Sequence, residues 1–149
     1  MVFRHEFTVE APREKVAQFH RARHSLAAIT PPPLIVQIQE SPQVLSAGDE
    51  IRFTLWLGPF PIRWHAAIEA VSDEGFADRQ ISGPFDHWVH RHTFLASGEG
   101  HTTVRDEIEY VYRRHILWGL VGRLFVTGLH VLFAYRAWKT RRLLGKGVE

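Results

Sequence analysis

Cysteine is absent from this chain of 149 residues, which excludes disulfides and any mechanism that needs a thiolate as nucleophile or metal ligand. A cytoplasmic setting is therefore expected. No export signal is expected either, because Met1-Val2-Phe3-Arg4-His5-Glu6 carries charge and alternation where a signal peptide needs a continuous apolar run. Nor is there a charge excess to mark a nucleic-acid partner: 18 basic residues face 16 acidic ones, mixed along most of the chain. With no internal repeat, the length suits one domain over residues 1–149, with a core that needs no staples.

What is present is periodicity. Phe3, His5, Phe7 and Val9 alternate with Arg4, Glu6, Thr8 and Glu10, which predicts a strand wet on one face. Pro12 suits the first position of a helix ending near Arg21, and Ser25 a cap for a second short helix that Pro31-Pro32-Pro33 must terminate. Strands follow over Leu34–Ile38 and Ile51–Leu57. Gly58-Pro59-Phe60-Pro61 then delays a fourth strand to about Ile62, and turns at Ser72–Gly75, Gly83–Asp86 and Gly98–Gly100 bound three more.

From about Leu117 to Leu144 the period changes to 3.6. Arg123, Thr127, His130, Ala134, Ala137 and Arg141 fall on one narrow stripe, with Leu117, Val121, Phe125, Leu132 and Tyr135 largely opposite. A helix with so wide an apolar face needs a large surface to cover, and the sheet is the one available. The predicted class is α+β: a helix-grip fold in which a curved seven-stranded antiparallel sheet wraps around a long C-terminal helix, with two short helices between strands one and two. Gly119, Gly122 and Gly128 within the helix predict close packing, because each costs about 1 kcal/mol relative to alanine.

Ile116–Tyr135 is long and apolar enough to raise a transmembrane reading, against which Arg123 and His130 stand near its middle. Two readings of the basic tail, Arg136, Lys139, Arg141, Arg142 and Lys146, stay open. It either rests on anionic lipid or complements the dipole of a soluble helix.

The most informative stretch is Phe76–Phe94. Around a Gly83-Pro84 turn, Phe76, Asp78 and Gln80 share one face of one strand, and Trp88, His90, His92 and Phe94 one face of the next. The simplest register sets Gln80 opposite Trp88 and Asp78 opposite His90. A fold about Gly98-Glu99-Gly100 sets His92 opposite Asp106, His90 opposite Ile108 and Trp88 opposite Tyr110. Arg79, Arg91, Arg105, Glu107 and Glu109 then fall on the other, wet face. Polar groups on a buried face must either satisfy one another or line a ligand cavity.

The element order resembles the SRPBCC superfamily, with its START-like, birch-pollen-allergen-like and polyketide cyclase/dehydrase-like members. So do Thr30-Pro31-Pro32, Gly58-Pro59, Arg63-Trp64, Phe76-x-Asp78-x-Gln80, Gly83-Pro84-Phe85, Trp88-x-His90-x-His92-x-Phe94 and Asp106-x-x-x-Tyr110. Within it, the chain looks closest to a bacterial ligand-binding branch. Where relatives often follow the last strand with proline, this chain has Tyr112-Arg113-Arg114-His115. The resemblance implies the helix-grip fold and a cavity between sheet and helix, but no agreed catalytic set.

The expected function is binding, transport or sensing of a small hydrophobic molecule, lipid- or polyketide-like. The expected ligand-binding residues are Phe53, Leu55, Trp64, Asp78, Gln80, Phe85, Trp88, His90, His92, Tyr110 and Phe125. The alternative is a cyclase or dehydratase in which His90 or His92, oriented by Asp78 or Asp106, is general acid or base. Against both stands a buried hydrogen-bond network that touches no ligand. His90, His92 and Asp106 could also be read as zinc ligands, but with ten histidines in the chain a spaced pair is a weak signal and hydrogen-bonded core histidines explain it better, so no metal and no cofactor is expected. Peripheral membrane contact and a homodimer through Trp56 and the helix stay open, without a transmembrane span.

Overall fold

The computed structural model describes residues 1–145. Its order is β1 (Val2–Val9), α1 (Arg13–Arg21), α2 (Ser25–Ala28), β2 (Leu34–Glu40), β3 (Glu50–Leu57), β4 (Phe60–Ser72), β5 (Gly75–Ser82), β6 (Phe85–Ala96), β7 (Thr102–Tyr112) and α3 (Ile116–Leu144). The seven strands form one antiparallel sheet in the order β1-β7-β6-β5-β4-β3-β2. This is the predicted α+β architecture, with two short helices between the first two strands and the long helix last.

Alternation sorts the sheet's faces as the sequence implies. Outward residues pair across strands at the surface: Arg91 with Glu109 at 2.6 Å, Arg4 with Glu107 at 2.7 Å, and Arg105 with Glu6 at 2.7 Å. Exposed pairs of this kind are worth at most about 1 kcal/mol each. The free energy lies on the inner face, where Phe3, Phe53, Leu55, Trp64, Trp88 and Ile108 meet Leu129, Leu132 and Phe133 of α3. Each such side chain contributes about 1.5–3 kcal/mol on burial, which fixes the helix on the sheet. A second cluster around Val9, Val16, Phe94 and Val104 seats α1.

Several local expectations are corrected. Strand four begins at Phe60 rather than Ile62. Gly58 adopts a positive φ of 58°, Leu57 pairs with Phe60, and the chain turns in two residues. His24, not Ser25, is the N-cap of α2; Ser25 is the first helical residue, and its hydroxyl donates to the carbonyls of Ala22 and His20.

The face of α3 is also rotated from its predicted setting. Ala137 is buried and Leu117 is exposed, because the inward stripe runs through Gly122, Leu129, Phe133, Ala137 and Thr140. Gly122 has the predicted packing reason, since a Cβ there would stand 3.1 Å from Tyr112 and 3.3 Å from Phe85, whereas Gly128 faces open space. Without proline, the junction into α3 is capped by His115, whose Nδ1 accepts from the Trp118 amide at 3.4 Å. Lys146 of the basic tail lies outside the described residues.

Candidate functional site

Between the inner sheet face, α3 and the α1–α2 segment lies a cavity of about 130 Å³. One end is apolar, walled by Phe53, Leu55, Trp64, Trp88 and Phe125. Trp64 and Trp88 meet edge to face at 5.2 Å, and Phe125 reaches down from α3 to within 5.7 Å of Trp88. The other end is polar and gathers His20, Asp78, His90, His92 and Arg136. Exposed Arg52, with Arg23 and Ser41, borders the cavity where it meets the surface.

Strand register builds the polar end. Asp78 opposes His90 across β5–β6, and His92 opposes Asp106 across β6–β7, as the turns predict. Residues two apart share a face, so four side chains converge in a square. The hydrogen bonds run along its diagonals: His90 Nε2 lies 2.9 Å from Asp106 Oδ1, and His92 Nε2 lies 3.2 Å from Asp78 Oδ2. Straight across, His90 Nδ1 is 3.6 Å from Asp78. His92 Nδ1 is 3.1 Å from Asp106 but out of line for a hydrogen bond, and it is buried.

The two imidazole centroids are 3.8 Å apart, too close for both rings to be charged. Burial opposes a charge on His92, but Asp106 and Asp78 outweigh it and raise the pKa to about 9. Burial, followed by the charge on His92, holds His90 below its ordinary value despite the same two aspartates. Burial also works against the ionised carboxylates, yet the imidazoles pull both Asp78 and Asp106 below the usual range. The square therefore carries one imidazolium, one neutral imidazole and two carboxylates.

Two further groups complete the polar end. His20, from α1, lies 6.2 Å from His92, and its Nδ1–H donates to the carbonyl of Val16 at 2.8 Å. That bond leaves Nε2 as a lone-pair nitrogen without a partner among the described residues. Burial, then the charge on His92, brings His20 down to about 4, so it is neutral at pH 7. Arg136, from α3, packs its guanidinium over the Phe133 ring at 5.0 Å, and its buried Nε has no acceptor among the described residues. Burial lowers its pKa while Asp106 and Asp78 hold it up, and the guanidinium stays charged. Two aspartates and two cations cancel.

Of the residues predicted to bind a ligand, Phe53, Leu55, Trp64, Asp78, Trp88, His90, His92 and Phe125 line the cavity. Gln80, Phe85 and Tyr110 do not. Gln80 closes the β5–β6 turn instead, with Nε2 donating to the Phe85 carbonyl at 2.7 Å and Oε1 accepting from its amide at 3.3 Å. The β5–β6 pairing ends at Arg79 and Val89, so Gln80 lies beyond the last paired residues. Phe85 and Tyr110 pack behind the wall, and Asp106 stands behind the histidines.

Sequence reasoning missed His20 and Arg136. Both carry a signal in their spacing: His20 lies four residues after buried Val16, and Arg136 four after buried Leu132 and seven after buried Leu129.

Asp78, His90 and His92 offer ligand atoms within 4.8 Å of one another, the spacing of a metal site. A divalent ion there would have to displace the His92 proton and break the His92–Asp78 hydrogen bond, while His90, ligating through Nδ1, would keep its bond to Asp106. Without an ion the charges at this end already balance, with His92 Nδ1 left unpaired among the described residues.

No family model matches the chain, and neither does any curated protein. Solved structures do match. An aromatase/cyclase, Zhui, from Streptomyces sp. R1128 aligns over 99% of this chain and 98% of its own at 19% identity, with a TM-score of 0.69. A START superfamily protein from Mycobacterium smegmatis aligns over 95% and 98% at 12% identity and 0.71. Norcoclaurine synthase from Thalictrum flavum, solved with dopamine and hydroxybenzaldehyde, aligns over 96% and 85% at 17% identity and 0.67. At these identities the likeness is one of fold: the chain has the helix-grip fold that the sequence led us to expect.

Proposed function

We propose that this protein binds a small, uncharged, mostly apolar molecule bearing one hydroxyl group, in the cavity between sheet and α3, as a carrier or sensor. The observation that carries the reading is the pairing of an unsatisfied donor, Arg136, with an unsatisfied acceptor, His20 Nε2, at one end of an otherwise aromatic chamber. A hydroxyl satisfies both, accepting from the guanidinium and donating to the imidazole. Since the charges at this end already cancel, a neutral guest adds no uncompensated charge. The volume sets the size. About 130 Å³ is close to the roughly 150 Å³ of an engineered apolar cavity that takes up benzene. A single substituted ring or a short branched chain fits; a larger lipid or polyketide requires the α1–α2 segment to move.

Two of the similar structures are named as enzymes, which supports a cyclase or dehydratase as the alternative. Against it, His90 and His92 each commit Nε2 to a carboxylate, and the unpaired Nδ1 of His92 belongs to a charged ring, which has no lone pair to take a substrate proton. His20, at about 4, is too weak a base to serve in their place. The histidines and aspartates are better explained as the rigid floor on which the guest's polar end is oriented.

Calorimetric titration with p-cresol and toluene tests the proposal. Toluene leaves water more readily, so a purely apolar chamber would prefer it. Here p-cresol is expected to bind about tenfold more tightly, the worth of one charge-assisted hydrogen bond. Arg136→Met should abolish that preference while toluene affinity is kept. Equal affinities in the native protein, or a preference that survives the substitution, would overturn the assignment.

A further inference from the structure

The outward side of α3 is as apolar as the inward side. Leu117, Leu120, Leu124, Val131 and Trp138 are each about half exposed or more, with Leu124 at 66% and Val131 at 71%. Their spacings of three, four, seven and seven residues place them in one row along the helix, opposite the stripe that packs on the sheet. From Leu117 to Trp138 the row runs for about 30 Å at 1.5 Å per residue. Exposed Phe60, on the β3–β4 turn, joins it through Trp118, with ring centroids 6.4 Å apart. Single exposed apolar side chains are ordinary; an unbroken row of this length marks a contact surface.

Charge indicates what makes the contact. Between Val111 and Leu144 there is no Asp or Glu, while Arg113, Arg114, Arg123, Arg136, Lys139, Arg141 and Arg142 all fall there. Every acidic residue but Glu149 precedes Tyr110. Arg136 is committed to the cavity, Arg113 faces Asp86, and Arg123 and Arg141 stack on Tyr112 and Phe7, while Lys139 and Arg142 stand beside the row at Trp138. A second copy docked through the same helix would bring two acid-free surfaces together with no carboxylate to pair them. A bilayer with anionic headgroups offers both hydrocarbon and negative charge. Trp138, near one end of the row, has Lys139 at 5.9 Å and Arg142 at 5.6 Å from its ring, a combination suited to the interfacial zone.

By length and composition α3 could cross a bilayer, but Leu129, Phe133 and Thr140 tie its other face to the sheet. We propose that the outer face of α3 docks this protein on an anionic phospholipid surface, with the helix lying in the interfacial plane. Because α3 also roofs the cavity, docking sets that chamber beside the lipid. The docking stands independently of what the chamber holds.

Cosedimentation of the full chain with large unilamellar vesicles tests this. Vesicles of phosphatidylcholine with about 30 mole per cent phosphatidylglycerol should bind at least tenfold more protein than phosphatidylcholine alone, and raised salt should weaken the binding. The exposed triple variant Leu120→Ser, Leu124→Ser, Val131→Ser should lose at least tenfold with its melting temperature preserved. Lys139→Gln and Arg142→Gln should lose about fivefold each. Equal binding to neutral vesicles, undiminished binding by the triple variant, or a lipid-free dimer that the triple variant splits into monomers would overturn the proposal, the last in favour of a second copy.

Discussion

Replacing Asp106 with asparagine is expected to cost about 3–5 kcal/mol of stability, because it strands a buried imidazolium beside a single remaining carboxylate. Asp106 holds His90 at 2.9 Å and faces His92 at 3.1 Å, and it is buried behind both. An amide keeps the shape but removes the charge that holds the proton on His92. The same variant should change how stability depends on pH. His92 is raised from 6.5 to about 9 in the folded protein. Its contribution is therefore complete below pH 6.5 and lost as pH climbs from there through 9. On the acid side, the depressed carboxylates contribute fully above their ordinary range and lose that contribution as pH falls through their lowered values. Guanidinium denaturation should find the native protein losing stability between pH 6.5 and 9, and Asp106→Asn with a smaller slope over that window. A cost below about 1 kcal/mol with an unchanged slope would show that the square holds no proton of consequence.

Filling the cavity is the second large effect. Leu129 is nearly fully buried in α3 and lines the chamber. Leu129→Trp should place its added bulk in the existing space, abolish p-cresol binding by at least a hundredfold, and leave the melting temperature equal or higher. If the interior were already close-packed, the same substitution would cost about 1–3 kcal/mol through overpacking. The sign of the stability change thus separates a chamber from a filled core, whatever the ligand.

The sequence made the frame of this site legible because β-strands sort side chains with a fixed period of two. Once Phe76–Phe94 and Thr102–Tyr112 are strands, the inward set follows, and the short turns fix which residues oppose one another. Asp78 with His90 and His92 with Asp106 came out in register for that reason. Contacts one step finer did not. The diagonal choice of hydrogen-bond partners depends on ring orientation, which no spacing encodes. Gln80 left the expected wall because the β5–β6 pairing ends at Arg79 and Val89, and its amide takes two backbone partners at Phe85. In α3 an apolar residue occupies nearly every direction around the axis, so the pattern did not choose the buried side. Leu117 and Ala137 were consequently exchanged, and Arg136 read as part of a basic tail although it turns inward.

The central claim is that the space under α3 is a binding chamber whose polar end is Arg136 and His20. A crystal structure grown with p-cresol tests it most directly. The account predicts a ring among Phe53, Trp64, Trp88 and Phe125, or just beyond them, with its oxygen within hydrogen-bonding distance of the Arg136 guanidinium and of His20 Nε2. An empty chamber at saturating p-cresol, or a guest whose oxygen points away from both residues, would contradict it.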